Sequence, residues 1–148
     1  MSQDNKRSFF RLALSQPLGA ELKIIGAEWI DSTFKQHKAA IVDISAGGAR
    51  FYTPSPLPEQ LGLLAELKFQ CLGKELRPYG IIVRAVLPEP GHCEYSLKFS
   101  LDDTDTSDLA GTLNQFAIRL RKQTPMSSSS FLTPEEASEF GPLSACLA

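Results

Sequence analysis

Short runs along this chain alternate apolar and polar residues with a period of two, the mark of strands that bury one face. In Ala20-Glu21-Leu22-Lys23-Ile24, the residues Ala20, Leu22 and Ile24 share a face. In Ala40-Ile41-Val42-Asp43-Ile44-Ser45, strict alternation sends Ala40, Val42 and Ile44 one way and Ile41, Asp43 and Ser45 the other. Ala49 to Tyr52 continues as a strand after two glycines. Ala65, Leu67, Phe69 and Cys71 form a fourth set, Ile81, Val83, Ala85 and Leu87 a fifth, and Cys93, Tyr95, Leu97 and Phe99 a sixth. Turn residues separate the later runs: Pro54-Ser55-Pro56-Leu57-Pro58, Gly73-Lys74 and Pro88-Glu89-Pro90-Gly91. Strands with one apolar face each must curl or stack, and a small closed barrel also removes exposed edges.

The period then changes. Leu109, Leu113, Phe116, Ala117 and Leu120 recur at helical spacing, with Thr106 or Ser107 as the expected N-cap. Asp105 and Asp108 near its start and Arg119, Arg121 and Lys122 near its end complement the helix dipole. Pro125 follows as a stop, and the apolar stripe is expected to cover one mouth or side of the barrel. Beyond it, Ser127-Ser128-Ser129-Ser130 has the composition of a flexible linker. Thr133-Pro134-Glu135-Glu136 is a helix start that would be marginal alone. The expected organisation is a flexible N-terminal arm over 1–12, a barrel with its C-terminal helix over 13–124, and a serine-rich linker with an acidic tail over 125–148. The fold class is all-β with a C-terminal helix, as a small six-stranded antiparallel β-barrel.

At 148 residues, 43% hydrophobic and 22% charged, the composition is that of one soluble domain with extensions. No apolar run approaches the roughly 20 residues that span a bilayer, and Met1 to Lys6 lacks the apolar core of a secretory signal. Neither membrane insertion nor secretion is therefore expected. Cys71, Cys93 and Cys146 are odd in number and unrelated in spacing, which fits a reducing cytoplasm and not a disulfide framework. His37 and His92 stand apart from any cysteine pair, so no structural metal is expected. The net charge of −2 divides into +1 over residues 1–122 and −3 beyond. A nearly neutral body argues against a nucleic-acid polymer as partner, which would need a marked basic excess. It leaves room for a small anion held by a few local arginines.

Two polar segments suit that role. Arg7-Ser8-Phe9-Phe10-Arg11 places two guanidinium groups four residues apart. Such forks bind phosphate bidentately, stack on a purine or donate to guanine O6 and N7, and Phe9 and Phe10 can tether the arm. Two solvated arginines on a frayed terminus fit the same residues. Asp43-Ile44-Ser45-Ala46-Gly47-Gly48 places a carboxylate and a hydroxyl on one face of a strand. Asp43 can accept from the N1–H and N2–H₂ edge of a guanine, Ser45 reaches the same side, and Gly47 and Gly48 permit a turn and a close backbone approach. A strand end with local backbone hydrogen bonds fits as well. Arg50 and Arg84 are candidates for the same anion or solvated strand arginines. Trp29 reads as packing and His37 as an exposed loop residue. There is no Gly-x-Ser-x-Gly nucleophile pattern and no phosphate loop with lysine, so no catalytic residues are expected.

Taken in order, Arg7-x-x-x-Arg11 and Asp43-Ile44-Ser45-Ala46-Gly47-Gly48-Ala49-Arg50-Phe51 make the chain similar to the PilZ domain family over roughly residues 5 to 122. The strands Gly80-Ile81-Ile82-Val83-Arg84 and Tyr95-Ser96-Leu97-Lys98-Phe99 add to the likeness. The resemblance implies a six-stranded barrel of the split type and, for many members, a non-catalytic bacterial receptor for the second messenger cyclic di-GMP. It implies that Arg7 and Arg11 clamp phosphates and guanine faces, that Asp43 and Ser45 read the guanine edge, and that Gly48 allows close backbone contact. Lys6 occupies the position associated in the family with ligand stoichiometry. The glycine often found before the last strand phenylalanine is absent from Ser96-Leu97-Lys98-Phe99, a departure that concerns strand packing. A downstream protein partner is implied as well. The alternative is a ligand-independent PilZ-like interaction module in pilus or flagellar assembly.

Overall fold

The computed structural model describes residues 11–25, 36–54, 57, 62–89, 92–122 and 129–140. Lys6, Arg7, Phe9, Phe10, Trp29 and Cys146 therefore lie outside the described residues. The strands are β1 (Leu12–Ile25), β2 (Gln36–Ser45), β3 (Gly48–Thr53), β4 (Leu64–Cys71), β5 (Lys74–Leu76), β6 (Tyr79–Glu89) and β7 (His92–Phe99). They are followed by α1 (Asp103–Arg121), α2 (Pro134–Ala137) and a single 3₁₀ turn, Ser138–Phe140. Antiparallel pairing runs β1-β2-β3-β7-β6-β4, and β4 pairs back onto β1, so six strands close into a ring. β5 hangs outside it, paired to the end of β4 through a two-residue turn, Leu72-Gly73, at φ 53° and 79°. Both turn residues are left-handed, as the right-handed twist of a tight hairpin requires.

Where one face of a strand is clearly apolar, the expected alternation holds. Ala65, Leu67, Phe69 and Cys71 of β4 and Cys93, Tyr95, Leu97 and Phe99 of β7 all enter the core. In β2 it fails halfway. Ile41 pairs with Phe51 but Asp43 with Arg50, so one extra residue bulges between them. The bulge resets the parity. Ile41 and Ile44 share the main core, while Val42 packs with Ala40 and Tyr52 in a second cluster. In β6 the expected face is inverted. Ile81, Val83 and Ala85 are exposed, and Ile82 is buried. Ile82 pairs with inward-pointing Leu97 and Ile81 with outward-pointing Lys98, so the register of β7 settles the choice. Gly80 is a close approach: a Cβ there would collide with the Lys98 carbonyl.

α1 begins a turn earlier than expected. Asp102 is the N-cap, accepting from the Asp105 backbone N–H at 2.8 Å. Aspartate outranks threonine in that role, and Thr106 falls within the first turns. Leu109, Leu113, Phe116 and Ala117 enter the main core as the periodicity requires. His37 lies within β2, opposite Leu22, not in a loop.

Ser129 and Ser130, the described end of the serine run, are built into the ring. Past the pairing of Glu21 with Lys68, β1 and β4 separate, and Ser130 occupies the opening. Its carbonyl accepts from the Gly19 N–H at 2.6 Å and its N–H donates to the Gln70 carbonyl at 3.0 Å. Its hydroxyl accepts from the Gln70 N–H at 3.1 Å, and Ser129 Oγ accepts from the Leu72 N–H at 3.0 Å. Phe131 then stacks on Phe116 with centroids 5.6 Å apart. Thr133 and Glu136 form a reciprocal capping box that starts α2. Phe140 is buried against Ala40, Val42 and Tyr52, with Leu132 and Ala137 beside it.

Candidate functional site

The outer face at one end of β1, β2, β3 and β7 carries the polar residues singled out above. Asp43 stands opposite Ala13 of β1 on one side and Arg50 of β3 on the other. Arg11 precedes Ala13 by two residues and so projects to the same face. The small side chain of Ala13 leaves it room. Arg11 Nη2 reaches both carboxylate oxygens of Asp43, at 3.1 and 3.2 Å. Arg50 Nε donates to Asp43 Oδ2 at 3.0 Å. Arg50 Nη1 lies 3.6 Å from Glu94 Oε2, and the Tyr52 hydroxyl donates to Glu94 Oε1 at 2.9 Å. The result is a continuous chain, Arg11–Asp43–Arg50–Glu94–Tyr52, from the residue before β1 across β2, β3 and β7.

The two guanidiniums on Asp43 are held differently. The Arg11 side chain is 64% exposed and that of Arg50 29%, against 11% for the carboxylate they share. Burial pushes the Arg50 pKa down. The hydrogen bond and charge of Asp43, with the charge of Glu94, outweigh that and leave it raised, so Arg50 is firmly cationic. Arg50 is thus a half-buried network member, not a solvated strand arginine. Arg84 is exposed on β6, opposite Ser96.

Ser45 ends β2 and accepts from the Gly47 N–H at 3.1 Å through its hydroxyl, which keeps its own proton to donate. Neither Gly47 nor Gly48 has a positive φ, so left-handed turning does not explain them. The close approach that Gly48 permits is to the Leu97 carbonyl of β7. The Gly47 carbonyl accepts from the Phe99 N–H at 2.9 Å. Both glycines thus lock the β2–β3 hairpin against β7 and fix the rim on which Asp43 and Ser45 sit.

Of the expected site residues, Arg11, Asp43, Ser45, Gly47, Gly48 and Arg50 gather at this rim, while Lys6 and Arg7 lie outside the described residues. Glu94 and Tyr52 were not anticipated. Alternation puts Glu94 on the outer face of β7, but only the strand order sets it beside Arg50. A separate groove of about 880 Å³ between the β4–β5 hairpin and α1 is lined by Leu76, Arg77, Tyr79, Asp105, Asp108 and Arg119, among others, and by none of the motif residues. Among the described residues, no helix is long and apolar enough to cross a membrane.

A six-strand ring with a following helix, and a polar rim assembled from the start of β1 and the β2–β3 hairpin, define the class: the chain belongs to the PilZ domain family, whose pattern it matches over residues 5–117. No curated relative matches the sequence. Among solved structures, the PilZ domain of YcgR from Escherichia coli with c-di-GMP superposes with a TM-score of 0.55 at 16% identity, covering 80% of this chain and 97% of that one. The Bacillus subtilis inhibitor of motility, MotI/DgrA, gives a TM-score of 0.56 at 16% identity, covering 84% of this chain and 54% of that one. The K. pneumonia MrkH–c-di-GMP complex gives 0.53 at 16% identity, covering 84% and 57%. The chain spans about half the length of the latter two proteins.

Proposed function

We propose that this chain is a cytoplasmic cyclic di-GMP receptor without catalytic activity, which passes ligand occupancy to a protein partner. The observation that carries the reading is the convergence of Arg11, Asp43 and Ser45 on one rim from two segments 32 residues apart in sequence. Family membership and the ligand in the YcgR and MrkH structures support it. Asp43 accepts the N1–H and N2–H₂ edge of a guanine, and Ser45 donates beside it. Arg11 and Arg7 take the phosphates and purine faces, with Lys6 next to Arg7 in the sequence.

Arg11 already occupies Asp43, so binding is an exchange. With its guanidinium end 64% exposed, this ion pair is screened by solvent on that side and contributes roughly 0–1 kcal/mol. Each hydrogen bond from the guanine edge to a charged acceptor contributes roughly 1.5–3 kcal/mol. The exchange therefore favours the ligand and frees Arg11 to turn onto the phosphates. Engagement of Arg11 and the residues before it by the ligand then alters the surface offered to a partner.

Calorimetry with cyclic di-GMP, against GTP and cyclic di-AMP, tests the assignment. Micromolar binding of cyclic di-GMP alone, about −8 kcal/mol, is expected. Arg11→Ala removes a charged partner worth roughly 2–5 kcal/mol, a loss of about 30-fold or more. Equal affinities for wild type and Arg11→Ala would refute the clamp.

A further inference from the structure

We infer that Glu94, which belongs to neither motif segment, is a positioning residue for the dinucleotide site: it fixes Arg50 against Asp43, so that of the two guanidiniums on that carboxylate Arg11 is the one that moves when a guanine arrives. The inference rests on the receptor reading above and deepens it.

Three observations carry it. Glu94 is 13% exposed and faces Arg50 Nη1 at 3.6 Å while its other oxygen accepts from the Tyr52 hydroxyl. Tyr52 is fully buried, so the carboxylate is held from behind by an immobile group. Arg50 is thereby tied at both ends, by Nε to Asp43 and by Nη1 to Glu94, whereas the Arg11 side chain is 64% exposed and, among the described residues, is held by Asp43 alone. A guanidinium already fixed loses little rotamer freedom when ligand binds, and a loose one loses much.

Charge and order make opposite predictions for Glu94→Gln. Removing a negative charge would tighten an anionic ligand, but Arg50 Nη1 lies 3.6 Å from that charge and already offsets it. Releasing Arg50 would weaken binding, because the arginine must then be ordered by the ligand itself. Order prevails, since the amide keeps the acceptor for Tyr52 and changes only the hold on Arg50.

The test is titration of wild type, Glu94→Gln, Glu94→Asp, Arg50→Gln and the Glu94→Gln/Arg50→Gln pair with cyclic di-GMP. Glu94→Gln is expected to weaken binding about fivefold, a coupling of about 1 kcal/mol. Glu94→Asp should recover part of the loss, and Glu94→Gln should cost nothing further once Arg50 is Gln. A purely architectural role for Glu94 would cost the same in both backgrounds and overturn the inference, as would unchanged or tighter binding. Should Arg50→Gln bind too weakly to titrate, the Arg50 Nε–H resonance decides. Its exchange with water should quicken in Glu94→Gln; an unchanged rate rejects the brace. A wild type that binds no cyclic di-GMP rejects the receptor reading and this inference together, an outcome distinct from intact binding in Glu94→Gln.

Discussion

β4 and β6 are neighbours in the ring, with Leu64 opposite Ile81 and Glu66 opposite Tyr79, yet their sequences specify their faces to different degrees. In β4 each buried residue from Ala65 to Cys71 is followed or preceded by Glu66, Lys68 or Gln70, and only one register keeps those polar groups wet. In β6, Tyr79-Gly80-Ile81-Ile82-Val83 is apolar on both parities. There the pairing with β7 decides, leaving Tyr79, Ile81 and Val83 at 39%, 40% and 51% exposure. Alternation fixes the face of a strand when its two faces differ in polarity. Where they do not, the neighbouring strand fixes it.

The sharpest way to break this contrast is a pair of adjacent truncations in β6. Ile82→Ala opens a cavity in the main core and should cost about 3 kcal/mol. Val83→Ala, one residue on, should stay within about 0.5 kcal/mol. Urea unfolding of the two variants measures both. Similar midpoints would mean that β6 has no fixed inner face.

A second test uses the inner face of β4. Burial pushes the Cys71 thiol up to about 12, against a small opposing effect of Lys74. The unfolded thiol ionises near its ordinary value of roughly 8.5 to 9. Below that range both states are protonated and the contribution to stability is complete. Above it the unfolded chain releases a proton that the native chain keeps, so stability falls as pH rises toward 12. At 1.36 kcal/mol per unit the loss reaches about 2 kcal/mol by about pH 10.5. Cys93 shifts in the same direction, again chiefly by burial. Denaturation from pH 7.5 upward should therefore give a shallower slope for Cys71→Ala than for wild type. Parallel slopes would place Cys71 in contact with water.

The same physics separates what was legible in the chain from what was not. Six ring strands, the helix and the outward pairing of Asp43 with Ser45 follow from local period and turn chemistry, because each is encoded within ten or so residues. The bulge between Ile41 and Asp43 is not, since Ala40 to Ile44 has apolar residues on both parities and any offset looks acceptable. Asp43 and Ser45 stayed on one face only because the offset falls before both. Arg50 was legible as a cation but not as a partner of Glu94, which requires knowing that β3 lies against β7. The early start of α1 at Asp102 was missed because Asp102, Asp105, Thr106 and Ser107 are all competent caps, and the apolar stripe begins only at Leu109.

Ser129 and Ser130 are the clearest case of composition misdirecting, and they matter most at the end of β4. Four consecutive serines read as a linker because serine carries no apolar drive to pack. Here a small hydroxyl substitutes for a missing strand. Where β1 and β4 part, backbone groups at Gly19 and Gln70 would lose their ladder partners, and Ser130 supplies both a peptide group and a side-chain oxygen in their place. Ser130→Ala keeps the peptide bonds but leaves the Gln70 N–H without its hydroxyl acceptor. A half-buried orphan of this kind costs roughly 1–1.5 kcal/mol. The effect should be local: faster amide exchange at Gln70 and Leu72, and looser packing of Phe131 and Phe140, with exchange at Ala65 and Leu67 unchanged. If exchange at Gln70 is unaltered, the opening between β1 and β4 closes without the serine. β4 would then owe its inner face to alternation alone.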